Sequence, residues 1–265
     1  MLDPGSVPAD DRGLAYGDGL FETLRITDNG HAPLAEAHAR RMAAGARRLG
    51  IPLEEDAWWR ALNELCLQGP GVGKLLLTRG SGGRGYAPPD RPKSRLLQRH
   101  QPLPARPARH SDTGLITGLA PTRLGDQPEL AGLKHANRLE QVLARREADR
   151  QGWDEALMLD AAGRSQCLAS MNLFAVSEGV MLTPPVDRSG VAGVMREWIL
   201  QEGARKAGVP ARVQRLGLER LRTADEVFAS NAVAGVLPIA TLGVWRWPRG
   251  PVTRVLMDQT RELLS

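Results

Sequence analysis

Hydrophobic and polar positions change period several times along the chain, and the changes mark out its elements. The runs Phe21 to Ile26, Lys74 to Thr78 and Arg95 to Gln98 are short and strand-like. Between the first two, Leu34, His38, Met42, Ala46 and Leu49 can share one helical face, and Gly50-Ile51-Pro52 ends that helix. A second helix is predicted over Leu53 to Leu67, stopped by Gln68-Gly69-Pro70-Gly71. Residues 101–110 hold three prolines and no periodicity, which suits a connection between lobes. A strand follows over Leu115 to Ala120. Further on, Leu139, Val142, Leu143 and Ala148 recur at helical spacing, with Arg138, Glu140, Arg145, Arg146 and Glu147 on the other faces. Ala156 to Asp160 reads as a strand running into a turn at Gly163, and one strand returns through Cys167 to Phe174. Val176 to Thr183 repeats the pattern. A helix over Val194 to Ala207, a basic strand, and Leu218 to Arg222 leading into the strand Glu226 to Ala229 complete the reading. The pattern predicts a two-domain α/β (α+β) protein: residues 1–105 as a small N-terminal domain, 106–112 as linker, and 113–265 as the larger domain.

Composition narrows the classes. At 265 residues the chain can bury a sizeable core, and with only Cys66 and Cys167 it folds without a disulfide framework, as suits a reducing cytoplasm. No apolar run approaches a membrane span and no basic-then-apolar leader is visible, so an unexported protein with no membrane partner is expected. The net charge of +5 could suit nucleic acid or an acidic ligand. The arginines are scattered, and three Phe with two Tyr leave little to stack bases, so an acidic small molecule is favoured over nucleic acid. His38, His100, His110 and His135 are too dispersed for a zinc site, and no metal is assigned. Ser81-Gly-Gly-Arg-Gly85 lacks the ending and setting of a nucleotide loop.

The stretch most suggestive of chemistry is Ala131-Gly-Leu-Lys134-His-Ala-Asn137-Arg-Leu-Glu-Gln-Val142. It sets one lysine between an extended run and a helix. A lysine reacts with a carbonyl only when held in place and able to lose its proton, and in bulk water it is almost wholly charged.

Gly132 to Gln141 resembles the lysine segment of the fold type IV pyridoxal phosphate enzymes (D-amino acid aminotransferase-like, class IV), and within them the aminodeoxychorismate lyase branch. Matching blocks occur in the same order: Asp11 to Thr23, Thr78 to Tyr86, Asp154 to Asp160, Asn172-Leu-Phe174, Gly190 to Arg196, and Ala224 to Phe228 followed by Ser230-Asn231-Ala232. The resemblance implies pyridoxal 5'-phosphate anchored on Lys134. It implies a phosphate cradle at Gly193, Val194 and Met195 with Arg41, and ring contacts from Asn137, Asn172 and Ala232. Thr23 would aid proton delivery, and Tyr16, Arg79, Arg84 and Tyr86 would meet a dicarboxylate substrate. A homodimer is implied too. The reaction implied converts 4-amino-4-deoxychorismate to 4-aminobenzoate and pyruvate on the folate route, a transaminase of D-amino or branched-chain amino acids being the alternative.

One position departs from the pattern. Five residues before Asn172, where typical members carry a glutamate beside the cofactor ring nitrogen, this chain has Cys167. A thiol cannot keep that nitrogen protonated as a carboxylate does. A tuned enzyme, a different reaction and a cofactor-binding homologue without turnover are the three readings this leaves.

Overall fold

A computed structural model describes residues 6–265, so the expectation about a leader at the extreme N-terminus lies outside the described residues. By contacts the chain divides into two units, the first comprising residues 1–104, 133–138 and 265, the second residues 105–132 and 139–264. The division is therefore not a single cut in the sequence: six residues around Lys134 pack with the first unit.

The first unit is built on an antiparallel three-stranded sheet, β1 (Gly19–Ile26), β2 (Gly71–Thr78) and β3 (Arg95–Gln101), in the order β1-β2-β3. A short helix, α1 (Arg12–Tyr16), precedes β1. Alternation decides which face is covered. Leu20, Leu24, Ile26, Leu75 and Leu77 are buried, whereas Phe21, Thr23 and Lys74 on the other parity are not. Against the apolar face pack α2 (Ala35–Leu49) and α3 (Glu55–Cys66), which bury Ala37, Met42, Ala46, Trp58, Ala61, Leu62 and Leu65. Leu34 lies outside α2, as its N-cap in the left-handed region at φ 61°.

In the second unit, α4 (Arg109–Asp112) is a single turn inside the expected linker, clipped by Asp154, which accepts from Arg109, His110 and the Ile116 amide. The sheet strands are β4 (Leu115–Leu119), β5 (Glu155–Leu159), β6 (Ser165–Leu168), β7 (Asn172–Ser177), β8 (Val180–Thr183), β9 (Ala211–Val213), β10 (Glu226–Asn231), β11 (Gly235–Leu242) and β12 (Trp245–Arg246). Because β10 pairs with both β11 and β7, the circuit β10-β11-β4-β5-β6-β7 closes on itself, a barrel-like arrangement that leaves no edge along those strands. Leu157, Leu168, Leu173, Ala175, Val227, Ala229, Leu237 and Ile239 form much of its core.

Two expectations are corrected here. Cys167 to Phe174 is not one strand: the chain turns between Leu168 and Asn172, closed by the Leu168 amide on the Met171 carbonyl, so β6 and β7 run antiparallel with Cys167 opposite Asn172. The stretch Leu168-Ala-Ser-Met171 contains no glycine or proline to mark the turn. In α5 (Leu139–Gln151) the buried residues are Ala144 and Ala148, while Leu139 and Val142 are 76% and 57% exposed. Small alanines let the helix approach the sheet closely, against Ala156 and Met158, and the larger side chains fall on the outer face. The helix after Gly193 begins as α6 (Val194–Trp198), widens to a π-helical turn over Ile199–Gly203 and ends as α7 (Ala204–Lys206). α8 (Leu218–Arg222) precedes β10, and α9 (Pro251–Leu263) closes the chain, its first turn capped by buried Glu226. No helix of the described residues is long and apolar enough to cross a membrane.

Candidate active site

The segment carrying Lys134 is extended and paired to β1. The Phe21 amide donates to the Lys134 carbonyl at 2.9 Å, the Ala136 amide donates to Gly19 at 2.9 Å, and Leu20 faces His135 across the bridge. Arg138 ties the segment from its far side, donating to the His135 and Leu133 carbonyls at 2.9 and 2.7 Å. The backbone beneath the lysine is thus held in place, and Nζ lies 4.3 Å from the centroid of the Phe21 ring. Burial holds the Lys134 amine down to about 7; Arg41 pushes in the same direction, Glu22 opposes, and Arg138 and Lys74 add smaller pushes downward. A large fraction of the amine is therefore neutral at physiological pH, which nucleophilic attack on a carbonyl requires.

Arg41 reaches this region from α2, where its Nε donates to Glu22 Oε1 at 2.7 Å and a terminal nitrogen donates to Oε2. Glu22 is 1% exposed, on the buried parity of β1, and also meets His38 Nδ1 at 2.6 Å. Burial alone would raise the Glu22 carboxyl, but Arg41 and His38 overcome it and hold the group near 2. His38, wholly buried, is held below its usual value by desolvation and is neutral at pH 7. Sequence reasoning counted His38 among the packed positions of its helix and did not single out Glu22. The signal was available: a carboxylate and an imidazole each occupy a core-facing position, one per element, and buried polar groups seek partners.

The Asp11 to Thr23 block forms a second, ionic cluster. Asp18 accepts from Arg12 Nε at 2.9 Å and from two nitrogens of Arg79 at 2.7 and 3.0 Å. Arg79 also donates to the Leu49 and Gly50 carbonyls at the end of α2. Its guanidinium is therefore engaged within the unit, tying the end of α2 to Asp18. Arg12, which sequence reasoning did not assign, organises the glycine-rich loop: it donates to the carbonyls of Gly85, Tyr86 and Ala87 at 3.0, 2.9 and 3.1 Å. It also stacks on Tyr16, whose ring meets Tyr86 edge-on at 5.4 Å. Arg84 is exposed and Tyr86 is 87% exposed, so the loop carries both outward. Replacing Arg12 by methionine is expected to speed tryptic cleavage after Arg84 roughly tenfold, since a hydrogen bond to a charged group contributes about 1.5–3 kcal/mol. Equal cleavage rates in the two proteins would refute that role for Arg12. Asn137, with Nδ2 donating to the Gly17 carbonyl at 3.1 Å, belongs to this cluster; a Cβ at Gly17, where φ is 66°, would meet its Oδ1 at 2.5 Å. Thr23 is half-buried on β1, on the same strand face as Phe21.

The second unit holds the other predicted residues. Gly190 to Gly193 is docked on Gly132 by the Gly132 amide to Gly190 and the Ala192 amide to Gly132, both at 3.0 Å. Asn172 supports the loop by donating to the Val191 carbonyl at 2.9 Å, and a Cβ at Gly193 would lie 2.0 Å from its Oδ1, so only glycine fits. Gly193 offers the first turn of the following helix no side-chain cap, which leaves the Val194 and Met195 amides directed at whatever lies ahead of the helix. Arg196, buried in that turn, bonds neutral oxygens of Thr183 and Pro184 at 3.3 and 2.9 Å, and burial holds its pKa below the usual value. A buried cation behind an uncapped helix start suits an anion. Ala232 is half-buried in the turn after β10, where Asn231 Oδ1 accepts from the Val233 and Ala234 amides. Cys167 is buried with Ala144, Ala148, Ala156 and Met158, while Gln166 turns the other way to donate to the Pro185 and Ser189 carbonyls. A glutamate at position 167 would enter that apolar cluster. Cys167→Glu is expected to cost the cofactor-free protein about 1–3 kcal/mol, and chemical denaturation with and without pyridoxal phosphate checks it: the deficit should shrink when a ring nitrogen can pair with the new carboxylate.

The residues present fit pyridoxal phosphate in two of its three needs. Lys134 is a held, partly neutral amine, and the Gly193 turn is a cradle that a Cβ would fill. For the third, a partner for the ring nitrogen, the resemblance points to position 167, where the chain has a thiol buried with Ala144, Ala148, Ala156 and Met158 in place of a carboxylate. Comparison with known proteins gives the same frame. Residues 19–242 match the amino-transferase class IV family. The chain is 35% identical over 260 residues to an aminodeoxychorismate lyase of Vibrio harveyi, covering 94% of both chains. It superposes on the crystal structure of a 4-amino-4-deoxychorismate lyase from Pseudomonas aeruginosa with a TM-score of 0.94 and 46% identity, over 98% of this chain and 96% of that one. A branched-chain amino acid aminotransferase structure from Escherichia coli follows at a TM-score of 0.89 and 26% identity, over 98% and 90%. The chain belongs to the amino-transferase class IV family, whose model spans most of its length and whose fold it shares.

Proposed function

We propose that this chain is a pyridoxal phosphate-dependent lyase that converts 4-amino-4-deoxychorismate to 4-aminobenzoate and pyruvate, a step of folate biosynthesis. The observation that carries the reading is the Lys134 amine, fixed on β1 and held near pKa 7. The choice of lyase over transaminase is supported by the greater identity to a lyase structure, 46% against 26% for the aminotransferase.

In this reading Lys134 is the covalent anchor, and Gly193, Val194 and Met195 receive the phosphate with Arg41. When bound, pyridoxal phosphate supplies an electron sink for the charge left on the substrate carbon. The chain's own groups move the protons. Lys134 Nζ, once released, takes the proton from the carbon that bears the substrate nitrogen, and the bond to the enolpyruvyl oxygen breaks as the ring becomes aromatic. The Thr23 hydroxyl delivers a proton to the departing group. Arg84, Tyr16 and Tyr86 meet substrate carboxylates, with Arg12 holding their loop in shape. Aromatisation makes the step favourable, so a thiol at Cys167 weakens the sink without stopping turnover. A homodimer and a cytoplasmic setting belong to the same reading.

Incubation of the protein and pyridoxal phosphate with aminodeoxychorismate, following 4-aminobenzoate fluorescence, tests it. Product formation is expected. Stoichiometric pyridoxamine phosphate from an amino acid, without 4-aminobenzoate, would replace the lyase by a transaminase, and neither product would mark a homologue that binds cofactor without turnover.

A further inference from the structure

Among the described residues the buried arginines are Arg12, Arg79 and Arg196. The first two share the carboxylate of Asp18. Arg196 has no acid partner among the described residues. Its Nε donates to Thr183 Oγ1 at 3.3 Å and its Nη2 to the Pro184 carbonyl at 2.9 Å, and both acceptors are neutral. Thr183 Oγ1 donates in turn to the Leu173 carbonyl at 2.8 Å, which fixes the hydroxyl and with it the guanidinium. Burial pushes the Arg196 group below its usual value, and no carboxylate acts to restore it. A buried cation in that condition destabilises the chain that carries it, and its charge is compensated only when an anion arrives from outside.

The place of Arg196 in the fold says which anion. It is the third residue of a helical stretch that runs from Val194 through α6, the π-helical turn and α7 to Lys206. Helical side chains lean towards the N-terminus, so this one leans back to the uncapped start where the Val194 and Met195 amides lie. The partial positive charge of the amides and the formal charge of Arg196 add, and in a low-dielectric interior a formal charge acts over a longer range than a dipole end. We propose that Arg196 is the specificity-determining charge by which this chain distinguishes pyridoxal phosphate from its dephosphorylated form, pyridoxal. The proposal rests on the cofactor reading and adds to it the residue that selects the phosphorylated form. Arg196 acts through space and through the helix start, away from the reacting atoms, and is a positioning residue. The destabilisation it causes in the empty chain is offset when a phosphate dianion is bound.

The test is cofactor and anion binding to the cofactor-free protein. Arg196→Met is expected to weaken pyridoxal phosphate about tenfold or more, read by absorbance, while the affinity for pyridoxal changes less than about threefold. Arg196→Gln, which keeps a donor for the Pro184 carbonyl but no charge, should lose as much, and Arg196→Lys should recover most of the loss. Inorganic phosphate gives a second readout: it raises the denaturation midpoint of the wild type, and the two neutral variants lose that rise. Equal losses of affinity for pyridoxal phosphate and pyridoxal overturn the proposal. So does an undiminished rise with phosphate in the neutral variants, because either result marks Arg196 as a packing residue alone. Should Arg196→Met fail to fold, the comparison of Arg196→Gln with Arg196→Lys carries the same decision. Should the wild type bind neither aldehyde, the cofactor reading fails, yet the phosphate titration still decides the role of the charge.

Discussion

Lys134→Ala is expected to lower turnover by roughly 10^4-fold or more, the scale of removing both a covalent anchor and a general base, while costing the fold little. The reason lies in what holding an amine near pKa 7 requires. Burial and Arg41 disfavour the ammonium in the folded chain, whereas the unfolded chain keeps the ordinary value of 10.5. Between those two values the unfolded state binds the extra proton, so the lysine's contribution to stability rises with pH through that window and is most unfavourable below pH 7. Lys134→Met, which keeps the stem and removes the charge, should therefore raise the denaturation midpoint more at pH 6.5 than at pH 9.5. A midpoint that falls, and falls further at the lower pH, would mean that the folded chain tolerates the ammonium and that the amine is not held neutral. Activity and stability are opposed at this residue, as strained or desolvated catalytic groups commonly show.

Glu22→Gln should produce the largest loss of stability, about 3–5 kcal/mol, because it leaves Arg41 and His38 without the carboxylate they share in a buried site. Urea denaturation at pH 7 measures this, and a loss below about 1 kcal/mol would mean that water or a neighbour takes over the pairing. The same network sets an acid limit on the wild type. The folded Glu22 carboxyl titrates near 2 against 4.5 when unfolded, so its contribution is complete above about 4.5 and is lost as pH falls towards 2. His38, held below its usual 6.5, adds in the same direction, since the unfolded chain takes up its proton first as pH drops. Stability should fall monotonically below pH 6.5, and Glu22→Gln should flatten the lower part of the curve.

Much of this architecture is legible from periodicity where the elements are amphipathic. The strands of the first unit and the helix Ala35–Leu49 declare themselves, because each alternates or recurs against a solvent face. The second unit resists the same reading: its strands β5 and β6 are buried along their whole length, so alternation disappears and no longer marks where β6 ends before Asn172. In α5 the rule that large apolar residues point inward fails, since Leu139 and Val142 face out and alanines make the contact. The site divides in a similar way. Lys134 is recognisable from its surroundings in sequence, but Glu22, His38 and Arg12 act through partners brought together only by the fold. Arg79 shows the converse, a residue whose motif points to a ligand and whose donors are engaged by Asp18 and the end of α2.

The pairing of Leu20 with His135 joins positions far apart in the chain, and the six residues that make it are contacted mainly by a unit otherwise formed from the first hundred or so positions. Closing so long a loop carries an entropic cost that local contacts cannot offset until both partners are in place. During synthesis and early folding, then, Lys134 is an ordinary solvated ammonium with no neutral electron pair to offer. Its nucleophilicity is a property of that closure, so a chain that has not made it offers a far less reactive amine to stray aldehydes, and titration of that one amine reports when the closure is made.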